Sequence, residues 1–155
     1  MKKLPPIEKI HEAYSAIADG RVTLMEEQAS VFSSNRAKEY TVTMKDGIYT
    51  SNDNASYWQG YAGYPIIAVL MLQDKLTFNV IIADYFKGIN WTELNIKYKS
   101  KYKKAVAEIM DGLQERNVDC DEINSEVEKV YREIGALSIT CKRSSKKPPS
   151  SSNVK

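Results

Sequence analysis

The sequence predicts an α+β fold: an N-terminal helix, a small antiparallel β-meander ending in a knuckle and a short buried helix, then a helical C-terminal half. Three observations carry this. Apolar residues recur at spacings of three and four over residues 7–17 and again between 91 and 134, the period of a helix with one buried face. Between residues 22 and 51 they alternate with polar neighbours, the period of a strand. Residues 66–72 (IIAVLML) are apolar almost all round, as a segment buried on every side must be.

Pro5 and Pro6 suit a first helical turn, whose backbone N–H groups have no partner anyway. Ile7, Ile10, Tyr14 and Ile17 then form one stripe, and Gly20 is placed to end the helix in the left-handed conformation. His11, the single histidine, falls inside this helix and is expected to be exposed. Val22 and Leu24, Ala29 and Val31, and Tyr40, Val42 and Met44 alternate with polar residues. Glu26-Glu27-Gln28 and Ser33-Ser34-Asn35-Arg36 read as turns between them. Asp46-Gly47 is a strong hairpin signal, because a type I′ turn needs positive φ at both central residues. Residues 48–51 complete the return strand.

Residues 51–65 have no usable period and read as a loop, and the Ala, Leu and Met content of 66–72 favours a helix over a strand there. A further helix is expected over 77–86, with Ile81, Ile82, Tyr85 and Phe86 inward and Gly88 ending it. Asn90 through Glu93 fits a capping box. It opens one long helix over 91–116, whose inward stripe is Trp91, Leu94, Tyr98, Tyr102, Ala105, Ile109 and Leu113. Asp119 and Glu122 repeat the cap logic ahead of a last helix with Ile123, Val127, Val130, Tyr131 and Ile134 inward. The expected organisation is one domain over 1–141, with the meander and knuckle at about 21–73 and the helical part at about 77–136. Residues 142–155 follow as a disordered basic tail.

Lys and Arg number 22 against 20 Asp and Glu, a formal net charge of +2 in 155 residues. Five of the basic residues, and no acidic one, fall in 142–155, so the body is mildly acidic and the tail supplies the basic balance. Cys120 and Cys141 are the only cysteines and form no CxxC pair; this reads as a reduced, cytoplasmic protein, with one disulfide left open. The N-terminus has no apolar run of the signal-peptide kind, and the longest apolar stretch, 65–72, is far short of the roughly 20 residues a membrane span needs. A single histidine leaves no multi-histidine metal site, and no phosphate-cradling glycine loop is present. Carboxylate pairs such as Glu26-Glu27 and Asp121-Glu122 sit at turns and helix starts. No catalytic residue is assigned.

Residues 40–72 form the most informative unit. A hairpin with an Asp-Gly turn leads to a small-residue knuckle, and an aromatic, glycine-rich loop then feeds the short apolar helix. This order resembles the SWIM-type zinc finger, in which a Cys-x-Cys at the hairpin's end is followed by a Cys-x-His at the start of an apolar helix. Ser51 and Asp53 stand where the first pair would be, and Gly63 and Pro65 where the second Cys and the His would be. Only Asp53 among them is a competent ligand, so the resemblance, over about 35 to 50 residues, implies a metal-free knuckle with no cofactor. It also implies association with DNA or RNA, or with a protein partner such as a recombinase-type factor. Tyr57, Trp58, Tyr61 and Tyr64 crowd the loop. Two readings are open for them: filling the place of the metal by packing, or stacking on bases.

The second informative segment is 96–104 (IKYKSKYKK), in which Lys97, Lys101 and Lys104 share one ridge of a helix and Lys99 and Lys103 another flank. Such a ridge tracks phosphates, or is simply a solvated helix face. With Lys142, Arg143, Lys146 and Lys147 of the tail it makes up the expected nucleic-acid contacts. Residues 115–133 oppose it with seven acidic residues against three basic. The sequence thus points to a non-enzymatic interaction module associated with nucleic acid. The alternative is a protein-only adaptor, or a homo-oligomeric scaffold, docking through its C-terminal helices.

Overall fold

A computed structural model describes residues 3–150. Helix α1 (Lys9–Ala18) opens the chain. Strands β1 (Val22–Leu24), β2 (Gln28–Phe32), β3 (Glu39–Lys45) and β4 (Ile48–Ser51) follow as an antiparallel meander. Six helices come next: α2 (Asn54–Gln59), α3 (Tyr64–Leu72), α4 (Val80–Asp84), α5 (Trp91–Lys97), α6 (Tyr102–Glu115) and α7 (Cys120–Ala136). A last short strand, β5 (Thr140–Cys141), returns to pair parallel with β4, so the sheet order is β1-β2-β3-β4-β5. The α+β class and the order helix, strands, helices are as the sequence predicts.

The meander follows from the two-residue period. Ala29 faces Val42 across β2 and β3, and Met44 faces Tyr49 across β3 and β4; all four are buried while Thr43 and Lys45 point to solvent. The Asp46-Gly47 turn has φ of 53° and 76°, the doubly positive geometry of the I′ hairpin.

Over this sheet lie α3 and α1. Ile66, Ile67, Val69, Leu70 and Met71 are each 1 % exposed or less. Burying such side chains is worth roughly 1.5–3 kcal/mol apiece, which outweighs the poor intrinsic stability of a nine-residue helix. Helix α1 packs against both α3 and α4, and α7 touches it as well. Its polar face is therefore enclosed too, and His11 is only 4 % exposed, against the expectation of a surface residue. The ring of His11 meets Phe86 edge-on at 5.4 Å, and burial lowers its pKa to about 4.

Three expectations for the second half are corrected. The loop at 51–65 contains α2, started by the Asp53 side chain and ended by Gly60 at φ 77°. The helix expected over 77–86 is reduced to α4, capped by Asn79, and Ile81 points outward at 66 % exposure while Ile82 and Phe86 are buried. The single long helix over 91–116 is two helices. Lys99 and Ser100 take φ of 53° and 63°, and the Ser100 N–H returns to the Asn95 carbonyl at 2.7 Å, closing α5 in a Schellman turn. Trp91, Leu94, Tyr98, Ala105, Ile109 and Leu113 still face the core across the break, but Tyr102 does not, its ring lying under Lys9 Nζ at 3.9 Å instead.

The segment expected to be a free tail is tied down over 142–147. The Lys142 N–H donates to the Tyr49 carbonyl at 3.0 Å, Asn52 Nδ2 donates to the Lys147 carbonyl at 3.1 Å, and Ser144 is 8 % exposed. Hydrogen bonds hold it, where apolar anchors are missing. Residues 151–155 of that tail lie outside the described residues. Cys120 and Cys141 are free thiols, and among the described residues no helix is long and apolar enough to cross a membrane.

Candidate functional site

The hairpin's end and the start of α3 meet at the knuckle. Ser51 donates its hydroxyl to Asp53 Oδ1, and Asp53 Oδ2 accepts the Ser56 N–H at 3.0 Å, capping α2. Ser56 Oγ in turn accepts the Gly63 N–H at 2.9 Å, just before α3. Ser51, Asp53, Ser56 and Gly63 are all buried, and Pro65 occupies the first turn of α3. Hydrogen bonds among serine, aspartate and backbone thus join the two halves of the knuckle. Of Ser51, Asp53, Gly63 and Pro65, only Asp53 carries a side chain that is a metal donor of ordinary strength.

The four loop aromatics divide. Tyr61 is buried, and Tyr64 is half-buried between Arg21, 5.8 Å from its ring, and Tyr40, 6.4 Å away edge-on. Tyr57 and Trp58 lie outside, with Trp58 61 % exposed. The guanidinium of Arg143 covers both rings, 4.9 Å from Tyr57 and 5.6 Å from Trp58, and its Nε donates to the Tyr57 carbonyl at 3.2 Å. Packing accounts for Tyr61 and Tyr64; a surface cation–π stack accounts for the other two.

The lysines of 96–104 do not form one helical ridge, because the chain turns between α5 and α6. Lys97 is engaged, its Nζ 2.8 Å from Glu108 Oε1, which also accepts the Tyr98 hydroxyl at 2.6 Å. Lys99, Lys101, Lys103 and Lys104 are exposed and have no acidic partner among the described residues. Lys101 is the N-cap of α6, and Lys103 and Lys104 lie in its first turn. Cations there oppose the helix dipole and cost about 0.3–1 kcal/mol each, so this placement concentrates positive potential at the expense of stability.

Beside this turn is a groove of about 560 Å³. Lys99 and Ser100 line it from the turn, Thr92 and Asn95 from α5, Lys38 and Tyr40 from the start of β3, and Asn54 from α2. Burial and the Asp53 and Glu12 carboxylates push the Tyr40 phenol up to about 12, so it is a neutral donor at ordinary pH. The C-terminal segment meets the opposite face of β3, because Thr41 points away from the side that Tyr40 lines. Lys146 Nζ donates to Thr41 Oγ1 at 3.2 Å and Lys147 is held by Asn52, close along the chain to Tyr40 and Asn54. Lys142 is exposed at the end of β5. Lys38, Tyr40 and Asn54 were not singled out by the sequence. Each sits in an ordinary turn or strand pattern, and the groove exists only because α5 and the turn after it stand beside the segment leading into β3 and the start of α2.

The model of one protein family, described as Uncharacterised conserved protein UCP014422, matches residues 2–140. No curated protein and no solved structure matches the chain.

Proposed function

The chain belongs to that uncharacterised conserved family, and from this premise we propose that it is a non-enzymatic module that binds nucleic acid along the groove between the α5–α6 turn and the sheet. One observation carries the reading. Four lysines with no acidic partner among the described residues, Lys99, Lys101, Lys103 and Lys104, gather at one turn, and the groove beside them has a fifth, Lys38, and the phenol of Tyr40. A basic channel with an aromatic ring in its wall matches what a phosphate backbone and an unstacked base require. Lys97 is excluded because Glu108 neutralises it. The SWIM-type likeness of residues 40–72 favours the same partner class, with the Ser51–Asp53–Ser56 hydrogen bonds standing where a metal would stand.

Fluorescence anisotropy of a labelled 20-nucleotide strand with the full-length protein tests this, at about 50 and 200 mM salt. Binding is expected at low salt and should weaken steeply at high salt. Lys103→Glu with Lys104→Glu should lower the affinity at least tenfold and flatten the salt dependence by about one unit of slope per lost contact. No binding at 50 mM salt overturns the proposal.

A further inference from the structure

Behind the groove lies a smaller cavity of about 50 Å³, and the two share Ser33, Tyr40 and Thr92 as common walls. Arg21, 2 % exposed, lines it. Its Nε faces Asp19 Oδ2 at 3.3 Å and its Nη1 donates to the Phe32 carbonyl at 2.7 Å; the Tyr64 ring lies 5.8 Å from the guanidinium, and the buried Nη2 makes no well-aligned hydrogen bond among the described residues. Asn95, which lines the groove, donates Nδ2 to Glu12 Oε2 in the cavity wall at 3.4 Å, and its buried Oδ1 has no hydrogen-bond partner among the described residues. Leaving a buried donor and a buried acceptor unsatisfied is costly, and native structures rarely retain such pairs without use. The charges themselves are balanced: Asp19 lies against Arg21, and Lys9 Nζ is 3.9 Å from Glu12 Oε2. What is missing is therefore hydrogen bonding, one acceptor for Arg21 and one donor for Asn95, and not a counter-ion.

A planar amide edge, with a carbonyl beside an N–H, supplies that pair in one rigid group. The mouth adds a second requirement, since Lys38 and Lys99 both line it and neither has an acidic partner among the described residues. The groove falls within the roughly 300–1,000 Å³ of small-molecule sites, large enough for a nucleoside. We infer that groove and cavity together bind one unstacked nucleotide, its base edge turned inward to Arg21 and Asn95 and its phosphate on Lys38 and Lys99. The ligand class rests on the nucleic-acid reading above and refines it to single strands.

The chain has two tryptophans, and Trp91 lines the cavity while Trp58 lies on the surface. Trp58→Phe therefore leaves one reporter at the site. Nucleoside 5′-monophosphates of the four common bases are titrated against this full-length variant, with inorganic phosphate as the control. At least one nucleotide is expected to change Trp91 fluorescence saturably, and phosphate alone is not. Asn95→Leu and Lys38→Glu, each checked for an unchanged melting profile, should each lower that affinity at least tenfold; they also serve if Arg21 variants fail to fold. No saturable change with any nucleotide overturns the inference. So does an equal response to phosphate alone, or an Asn95→Leu variant that binds as tightly as its parent. Any of these results with strand binding intact removes the pocket and leaves the groove reading standing. Nucleotide saturation without strand binding does the reverse.

Discussion

Gly63 stands so close to the Asp53 carboxylate that a Cβ on it would lie 2.3 Å from Oδ2, and 2.8 Å from Ser56 Oγ. The φ of Gly63 is −70°, which any residue adopts, so space and not backbone freedom demands glycine here. Gly63→Ala is expected to push Asp53 away from the Ser56 N–H and to unseat the knuckle. Overpacking costs about 1–3 kcal/mol and a lost cap about 1 kcal/mol, so the loss should be about 2–4 kcal/mol in urea unfolding. An unchanged midpoint would sink this account of the joint.

Stability should fall on acidification in a window set by His11. Its folded-state pKa is about 4 against an ordinary 6.5, so the unfolded chain binds a proton that the folded one refuses. The stabilisation is complete above pH 6.5 and is lost as pH falls toward 4, a total of about 3 kcal/mol. Glu12 acts with the opposite sign: burial raises its pKa, so its contribution is present below 4.5 and lost as pH rises. Comparing unfolding free energies of the parent and His11→Leu between pH 4 and 6.5 isolates the histidine. A difference that stays flat across that range would refute the assignment.

Lys99 takes φ of 53°, a conformation that costs an L side chain about 1–2 kcal/mol. Replacing it with glycine should raise stability by about 0.5–1 kcal/mol once the greater freedom of glycine in the unfolded chain is subtracted. The same change removes a cation from the groove and should weaken strand binding several-fold. Stability and affinity moving in opposite directions, by calorimetric melting and anisotropy, is the signature of a residue kept for contact at the expense of fold. Movement in the same direction would contradict it.

The meander and α3 were legible because alternation, an Asp-Gly turn and an unbroken apolar run are local signals, each written within a few residues. The break at 98–101 was not, since Lys99 and Ser100 carry none of the glycine or proline that usually marks a left-handed turn. The burial of His11 was hidden for a different reason. A helix stripe shows which face is apolar, but it does not show that α3, α4 and α7 together enclose the polar face as well. At the candidate site the lysines of 96–104 were visible as a cluster, while their neighbours Lys38, Tyr40 and Asn54 come from elements far apart in sequence. Arg21 reads as an ordinary polar residue between Gly20 and a strand, and nothing local marks it as buried.

The pairing of β5 with β4 bears on how copies of this chain behave in concentrated solution. An uncovered strand offers its free N–H and C=O groups to any passing strand, a common route to aggregation. Here the Thr140 N–H reaches the Gly47 carbonyl at 2.9 Å and the Lys142 N–H reaches the Tyr49 carbonyl at 3.0 Å, so the chain's own end occupies that side of the sheet. Among the described residues the edges of the sheet are then β1, three residues long, and β5, two residues long. The sheet thus ends on both sides in strands of two or three residues, and very short edge strands give a neighbouring strand little to pair with.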